Sequence, residues 1–124
     1  MISPRIKKLV LERDGYVCQL NLVGCTYTST DADHRANGGH GGSPQLNNTV
    51  NLVASCRLCN GRKETLVGDA LSEIKRRGLR LVHARTTQET LDHAADTHVQ
   101  YRDGLWYRLD TAGHRQIIRK VNRA

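Results

Sequence analysis

Phenylalanine is absent from this 124-residue chain, and tryptophan and methionine occur once each. A short chain with so few large apolar side chains buries little surface, so hydrophobic packing alone is excluded as its source of stability and an internal staple is called for. Long apolar runs are missing as well. The opening stretch MISPRIKKLVLERDGYVC holds no uninterrupted segment of signal-peptide length, and no later segment approaches the length needed to span a bilayer. These absences set the expectation of an intracellular, cytoplasmic protein with no membrane association. Acidic residues are in deficit, 12 Asp and Glu against 19 Lys and Arg, for a formal charge of +7 and a pI near 9.6. That balance suits a polyanionic partner such as nucleic acid, although it also serves solubility alone.

Four cysteines are present. A reducing compartment disfavours two structural disulfides, and Cys56 and Cys59, two residues apart in ASCRLCNGRK, have the spacing at which a turning backbone directs both sulfurs at one ion. Cys18 and Cys25 form a looser second pair around QLNLVG. About thirty residues lie between the pairs, so a zinc ion held by all four would cross-link remote segments and supply the missing staple. Two other readings stay open. A thioredoxin-like redox pair belongs between strand and helix of a repeating βαβ pattern that this chain lacks, and plain buried cysteines need no ligand at all.

The local signals alternate between helix and extended chain. Ser3 followed by Pro4 predicts a helix start, with Ile6, Leu9 and Val10 inward and a stop at Asp14-Gly15. YVCQLNLVGCTYTSTDADH reads as a turn carrying Cys18 and Cys25 that leads into a strand ending near His34. RANGGHGGSPQLNNT reads as a loop, VNLVASC as a second strand, and CNGRKETL as a helix. GDALSEIKRRG predicts a helix capped by Asp69 and ended by Gly78, and Thr86 with Glu89 forms a capping box for another. The tail from Val99 alternates apolar and polar residues around RDG and DTAG, as a small β-meander would.

RDGYVC, a second cysteine, DADH, paired glycines, NL and SCRLCNGRK follow one another in an order that resembles the HNH endonuclease family, over Arg13 to Lys63, about half the chain. The resemblance implies an α+β protein built on a ββα-metal (His-Me finger) core, in which two strands and a helix surround one catalytic divalent cation beside the structural zinc knuckle. On this reading residues 1–66 form the nuclease core with its N-terminal helix. Residues 67–124 form an accessory C-terminal segment, a helical and β-meander extension of unknown role.

Family roles then attach to positions. His34 matches the general base that takes a proton from the attacking water, work that suits an imidazole titrating near neutrality. Asp33 matches the carboxylate ligand of the catalytic metal. Asn51 matches the middle asparagine, which ties the intervening loop and helps hold the histidine. Asn60 stands where the family often has histidine, as the second metal ligand, and an amide oxygen with a carboxylate favours magnesium or manganese over softer ions. The implied reaction is hydrolysis of DNA phosphodiesters to 5′-phosphate and 3′-hydroxyl ends.

Arg57, Arg62 and Lys63 are the candidate DNA-binding cations, set against the plainer reading of a solvated helix start. Arg115, Arg119, Lys120 and Arg123 form either a phosphate-binding strip or the wet face of a strand, Trp106 and Tyr107 read as core, and His83, His93, His98 and His114 follow no ligand spacing. Small members of the family recur in bacteria and their viruses, which leaves host restriction, genetic mobility and a protein partner such as packaging machinery as settings. The rival class is a zinc-stabilised, non-catalytic module that binds DNA or protein; a thiol redox protein is the third. One geometric demand follows. Successive strand residues face opposite ways, so Asp33 and His34 address one phosphate only if the strand ends or twists there, with Gly38-Gly39 and Gly41-Gly42 as slack and His40 as an exposed loop residue.

Overall fold

Ser3 does begin a helix. In the computed structural model, which describes residues 2–37 and 44–118, its hydroxyl accepts the amide of Ile6 at 3.2 Å and Pro4 occupies the first turn of α1 (Pro4–Arg13). That hydroxyl satisfies an amide the helix itself leaves unpaired, and the proline has no amide to satisfy. The helix ends at a pair that anchors the whole molecule. Arg13 grips the Asp14 carboxylate at 2.8 and 3.1 Å and reaches the carbonyls of Thr49 and Leu52; Asp14 in turn accepts the amide of Ala54 at 2.9 Å and the Tyr101 hydroxyl.

Two strands follow, β1 (Asp31–His34) and β2 (Leu52–Ser55), antiparallel, with Asp31 opposite Ser55 and His34 opposite Leu52. The segment between them makes short 3₁₀ turns at Pro44–Leu46 and Thr49–Asn51, so the expected loop is partly wound where it is described. Gly38, Gly39, His40, Gly41 and Gly42 lie outside the described residues, as do Arg119, Lys120 and Arg123. After β2 comes α2 (Arg57–Lys63), which starts two residues before the cue from Cys59 because the Cys56 sulfur itself accepts the amide of Cys59.

Helices α3 (Gly68–Arg76) and α4 (Thr87–Asp96) come next. Asp69 does not cap α3 as expected; it sits in the first turn, where a carboxylate still complements the helix dipole, and Val67 holds the cap position without a side-chain bond. Thr86 caps α4 through the Glu89 amide, as the sequence indicates. The meander is present as β3 (Val99–Gln100), β4 (Trp106–Leu109) and β5 (Arg115–Ile117), paired in that order and antiparallel. The protein is therefore a mixed α+β structure with four helices and two small sheets among the described residues.

One buried cluster joins Cys18, Val53, Cys56 and Cys59 to Ile74, Val99, Tyr101 and Leu109, so described residues on both sides of position 66 contribute to one core. A smaller cluster, Val10 with Ala32 and Leu52, seats α1 on the other face of the hairpin. Buried Arg35 connects the layers. Its guanidinium donates to the carbonyls of Gly78, Val50, Ala94 and Thr97 at 2.7–2.8 Å, and burial lowers its pKa to about 10. Four carbonyl dipoles replace the carboxylate such a cation ordinarily requires.

Candidate functional site

The cysteines converge. The four sulfurs of Cys18, Cys25, Cys56 and Cys59 all lie within 4.8 Å of one another, with Cys25 and Cys56 at 4.0 Å. Zinc–sulfur bonds of about 2.3 Å set tetrahedrally separate sulfurs by about 3.8 Å, so the cluster fits a metal such as zinc with little adjustment. The knuckle is shaped by backbone bonds from Cys18 to Tyr27 and from Cys25 to Leu22, and by left-handed residues at Asn21, Gly24 and Tyr27. Burial pushes the thiols of Cys18 and Cys59 up. Cys25 and Cys56 move down despite burial, because the Tyr27 amide and Arg102 act on Cys25, while Thr26 holds Cys56 near 6. A bound dication would make thiolates of all four.

Arg102 is a contributor that no local pattern marks. It lies 77 residues beyond Cys25, yet its guanidinium reaches that sulfur at 3.5 Å, the Cys18 carbonyl at 3.0 Å and Asn21 at 3.0 Å, and it stacks 4.7 Å from the centre of the Tyr27 ring. The meander thus buttresses the knuckle.

The second group of polar residues lies where β1 meets α2. Asp31 and Asp33 are two apart on a strand and share a face, while Asn60 and Lys63 are three apart on a helix and share another. These faces meet. Asn60 Nδ2 donates to Asp31 Oδ2 at 3.3 Å, and Lys63 Nζ donates to Asp33 Oδ2 at 2.6 Å. Asp33 and Asn60 therefore line one interface, but the carboxylate that Asn60 touches is Asp31, which the sequence reading passed over; strand alternation counted back from Asp33 was the available signal.

Lys63 departs from its expected role. It is 1% exposed and internal, donating to the His34 carbonyl as well as to Asp33, and is not a surface cation available to DNA. Arg57 and Arg62, on the same helix, are exposed. Burial pushes the Asp33 carboxyl up, against the opposing pull of the Lys63 ammonium.

His34 is the last residue of β1, and alternation assigns it to the face shared with Ala32. Its Nε2 stands 2.7 Å from Asn47 Oδ1. Asn51 is fully buried: its side-chain oxygen accepts the Ala36 amide at 2.8 Å, and its nitrogen donates to the carbonyls of Ala36 and Leu46 at 2.9 and 3.1 Å. One carboxamide thus ties both described flanks of the segment between the strands.

The remaining candidates lie elsewhere. Tyr107 is buried in the core and Trp106 is half-buried, while Arg115 lies over the rings of Tyr101 and Tyr107 at 5.0 and 4.6 Å. His83, His93, His98 and His114 are exposed. No helix among the described residues is long and apolar enough to cross a membrane.

No family model and no solved structure matches the chain. Two curated phage proteins do. The Gene 4 protein of Mycobacterium phage D29 is 33% identical over 79 residues, which cover 64% of this chain and 70% of the relative. The Gene 4 protein of Mycobacterium phage L5 is 35% identical over 71 residues, 57% of this chain and 62% of the relative.

Proposed function

The chain belongs to the family of these mycobacteriophage Gene 4 proteins, and we propose that it is a metal-dependent DNA endonuclease of the HNH type. The hairpin β1–β2 and helix α2 would be its ββα-metal core, and a zinc ion on the four cysteines its brace. The observation that supports the reading is the meeting of β1 and α2, where Asn60 bonds Asp31 and Lys63 bonds both Asp33 and the His34 carbonyl, on the helix that also carries Cys59 of the cysteine cluster.

Asp33 and Asn60 would hold the catalytic cation, magnesium or manganese, since both offer hard oxygens. With its nitrogen committed to Asp31, the carboxamide of Asn60 keeps its oxygen for an ion. When bound, such a cation supplies positive charge to the scissile phosphate and the departing oxygen. His34 takes the proton from the attacking water, and Asn51 fixes the segment against which the histidine rests. Arg57 and Arg62 remain the cations that would track the DNA backbone.

One observation favours a second reading, a zinc-stabilised module that binds DNA or protein without cutting: the Lys63 ammonium pairs with an Asp33 oxygen that a catalytic cation would need. Incubation of supercoiled plasmid with the protein, with and without magnesium or manganese, separates the two. Cutting that requires the cation and falls about 10²- to 10⁴-fold in a folded His34→Ala variant supports the nuclease. Binding without cutting under every cation supports the module, and cutting unaffected by His34→Ala removes the assigned base.

A further inference from the structure

The end of β1 bears an imidazole whose two nitrogens are not equivalent. Nε2 of His34 faces Oδ1 of Asn47 at 2.7 Å. A carboxamide oxygen only accepts, so the hydrogen of that bond must reside on Nε2. A neutral imidazole carries one such hydrogen, and Nδ1 is then the nitrogen with the free lone pair.

Asn47 is itself held from both sides. Its amide donates to the Pro44 carbonyl at 3.1 Å, closing the first 3₁₀ turn, and the carbonyl of its neighbour Leu46 accepts from buried Asn51. On the other side, Asn48 caps the second turn by accepting the Val50 amide at 3.1 Å. Two asparagines therefore fix the backbone around a third, whose side chain meets the histidine. Lys63 completes the arrangement by donating to the His34 carbonyl, so ring and backbone of this residue are anchored from different elements.

We infer that Asn47 is a positioning residue for His34: by accepting the Nε2 hydrogen it selects the tautomer and ring orientation in which Nδ1 receives the proton of the attacking water. This inference rests on the nuclease reading for the identity of the proton, but the tautomer itself can be measured without any activity. Asn47 touches neither substrate nor cation in this role; it acts through the imidazole. Partners of this kind fix the geometry of a reacting group, and a ring turned away from its water forfeits orientation rather than affinity.

The test combines two readouts on the full chain. Long-range nitrogen–proton NMR spectra of the His34 ring should show hydrogen on Nε2 in the wild type. In the plasmid assay with magnesium or manganese, Asn47→Leu should lower kcat about 10- to 100-fold with KM unchanged and an unaltered circular dichroism spectrum. Asn47→Asp, which keeps an acceptor oxygen in place, should recover most of that rate and retain the Nε2 hydrogen. Hydrogen on Nδ1 in the wild type, a wild-type rate in Asn47→Leu, or an Asn47→Asp variant as slow as Asn47→Leu would each overturn the assignment. A wild-type protein that cuts nothing defeats the nuclease reading alone, and the ring spectrum then decides whether Asn47 sets the tautomer.

Discussion

The ammonium of Lys63 stands 2.6 Å from a carboxylate oxygen of Asp33, with the two side chains only 2% and 4% exposed. Removing one partner of a sealed pair strands the other charge in the interior, which costs about 3–5 kcal/mol, whereas replacing both with apolar groups is often close to neutral. Lys63→Met should therefore lower the urea midpoint by an amount equivalent to that loss, and the double variant Lys63→Met/Asp33→Leu should recover most of it. An unchanged midpoint in the single variant would show that the pair is not closed in solution.

The cysteine cluster predicts a measurable metal. Purified protein should contain about one zinc per chain by elemental analysis, since four sulfurs complete one tetrahedral site. Chelation should lower the melting temperature and zinc, not magnesium, should restore it. Cys59→Ser should reproduce the chelated state, because Cys59 is fully buried in the core cluster and its loss opens both the site and the packing around it.

Tyr101 ties the meander to the end of α1 through Asp14. Tyr101→Phe removes one of the two donors to Asp14 Oδ1, leaving Arg13 Nε, and the loss of a hydrogen bond to a charged group should cost about 1.5–3 kcal/mol by thermal or urea unfolding. The pH dependence has a definite sign. Burial raises the Tyr101 pKa above its ordinary value near 10. Above that value the unfolded chain gives up a proton that the folded one keeps, so stability falls as pH rises. Between pH 9 and 11, roughly the window set by the free phenol, the wild type should lose stability more steeply than Tyr101→Phe.

Gly78 should tolerate no side chain. Its φ is +73°, and a Cβ there would collide with the backbone carbonyl of His98. The left-handed conformation alone costs a non-glycine residue about 1–2 kcal/mol, so Gly78→Ala should lose at least that much in a thermal melt. The loss should be larger still because the Gly78 carbonyl is one of the four acceptors of Arg35.

What the sequence could express was local or periodic. Ser3-Pro4 and the Thr86 cap start helices whether or not the rest is folded, because they act within one turn, although the Glu89 carboxylate pairs with Arg85 instead of closing the expected box, and the meander follows from alternation around two turn cues. Cys56-x-x-Cys59 was legible for the same reason. The link from this pair to Cys18 and Cys25 was legible only as chemistry, since four thiols in one short chain suit one metal.

The partner of each charge was not legible. Lys63 looks in sequence like its exposed neighbour Arg62, and nothing local distinguishes them. α2 turns Lys63 onto Asp33, thirty residues earlier, and Arg62 toward water. Arg35 sits in a stretch with loop composition yet is buried among carbonyls from three separated segments. Arg102 and Tyr101 complete sites more than 70 residues away. By itself the amino-acid order determined where helices begin, where strands alternate and which residues are able to bind metal. Only the tertiary structure decided which cations are internal, which carboxylate meets Asn60 and which face of His34 is held. A side chain's type sets what it can bond, but its partner is set by the rotation of one element against another, and that depends on the whole core.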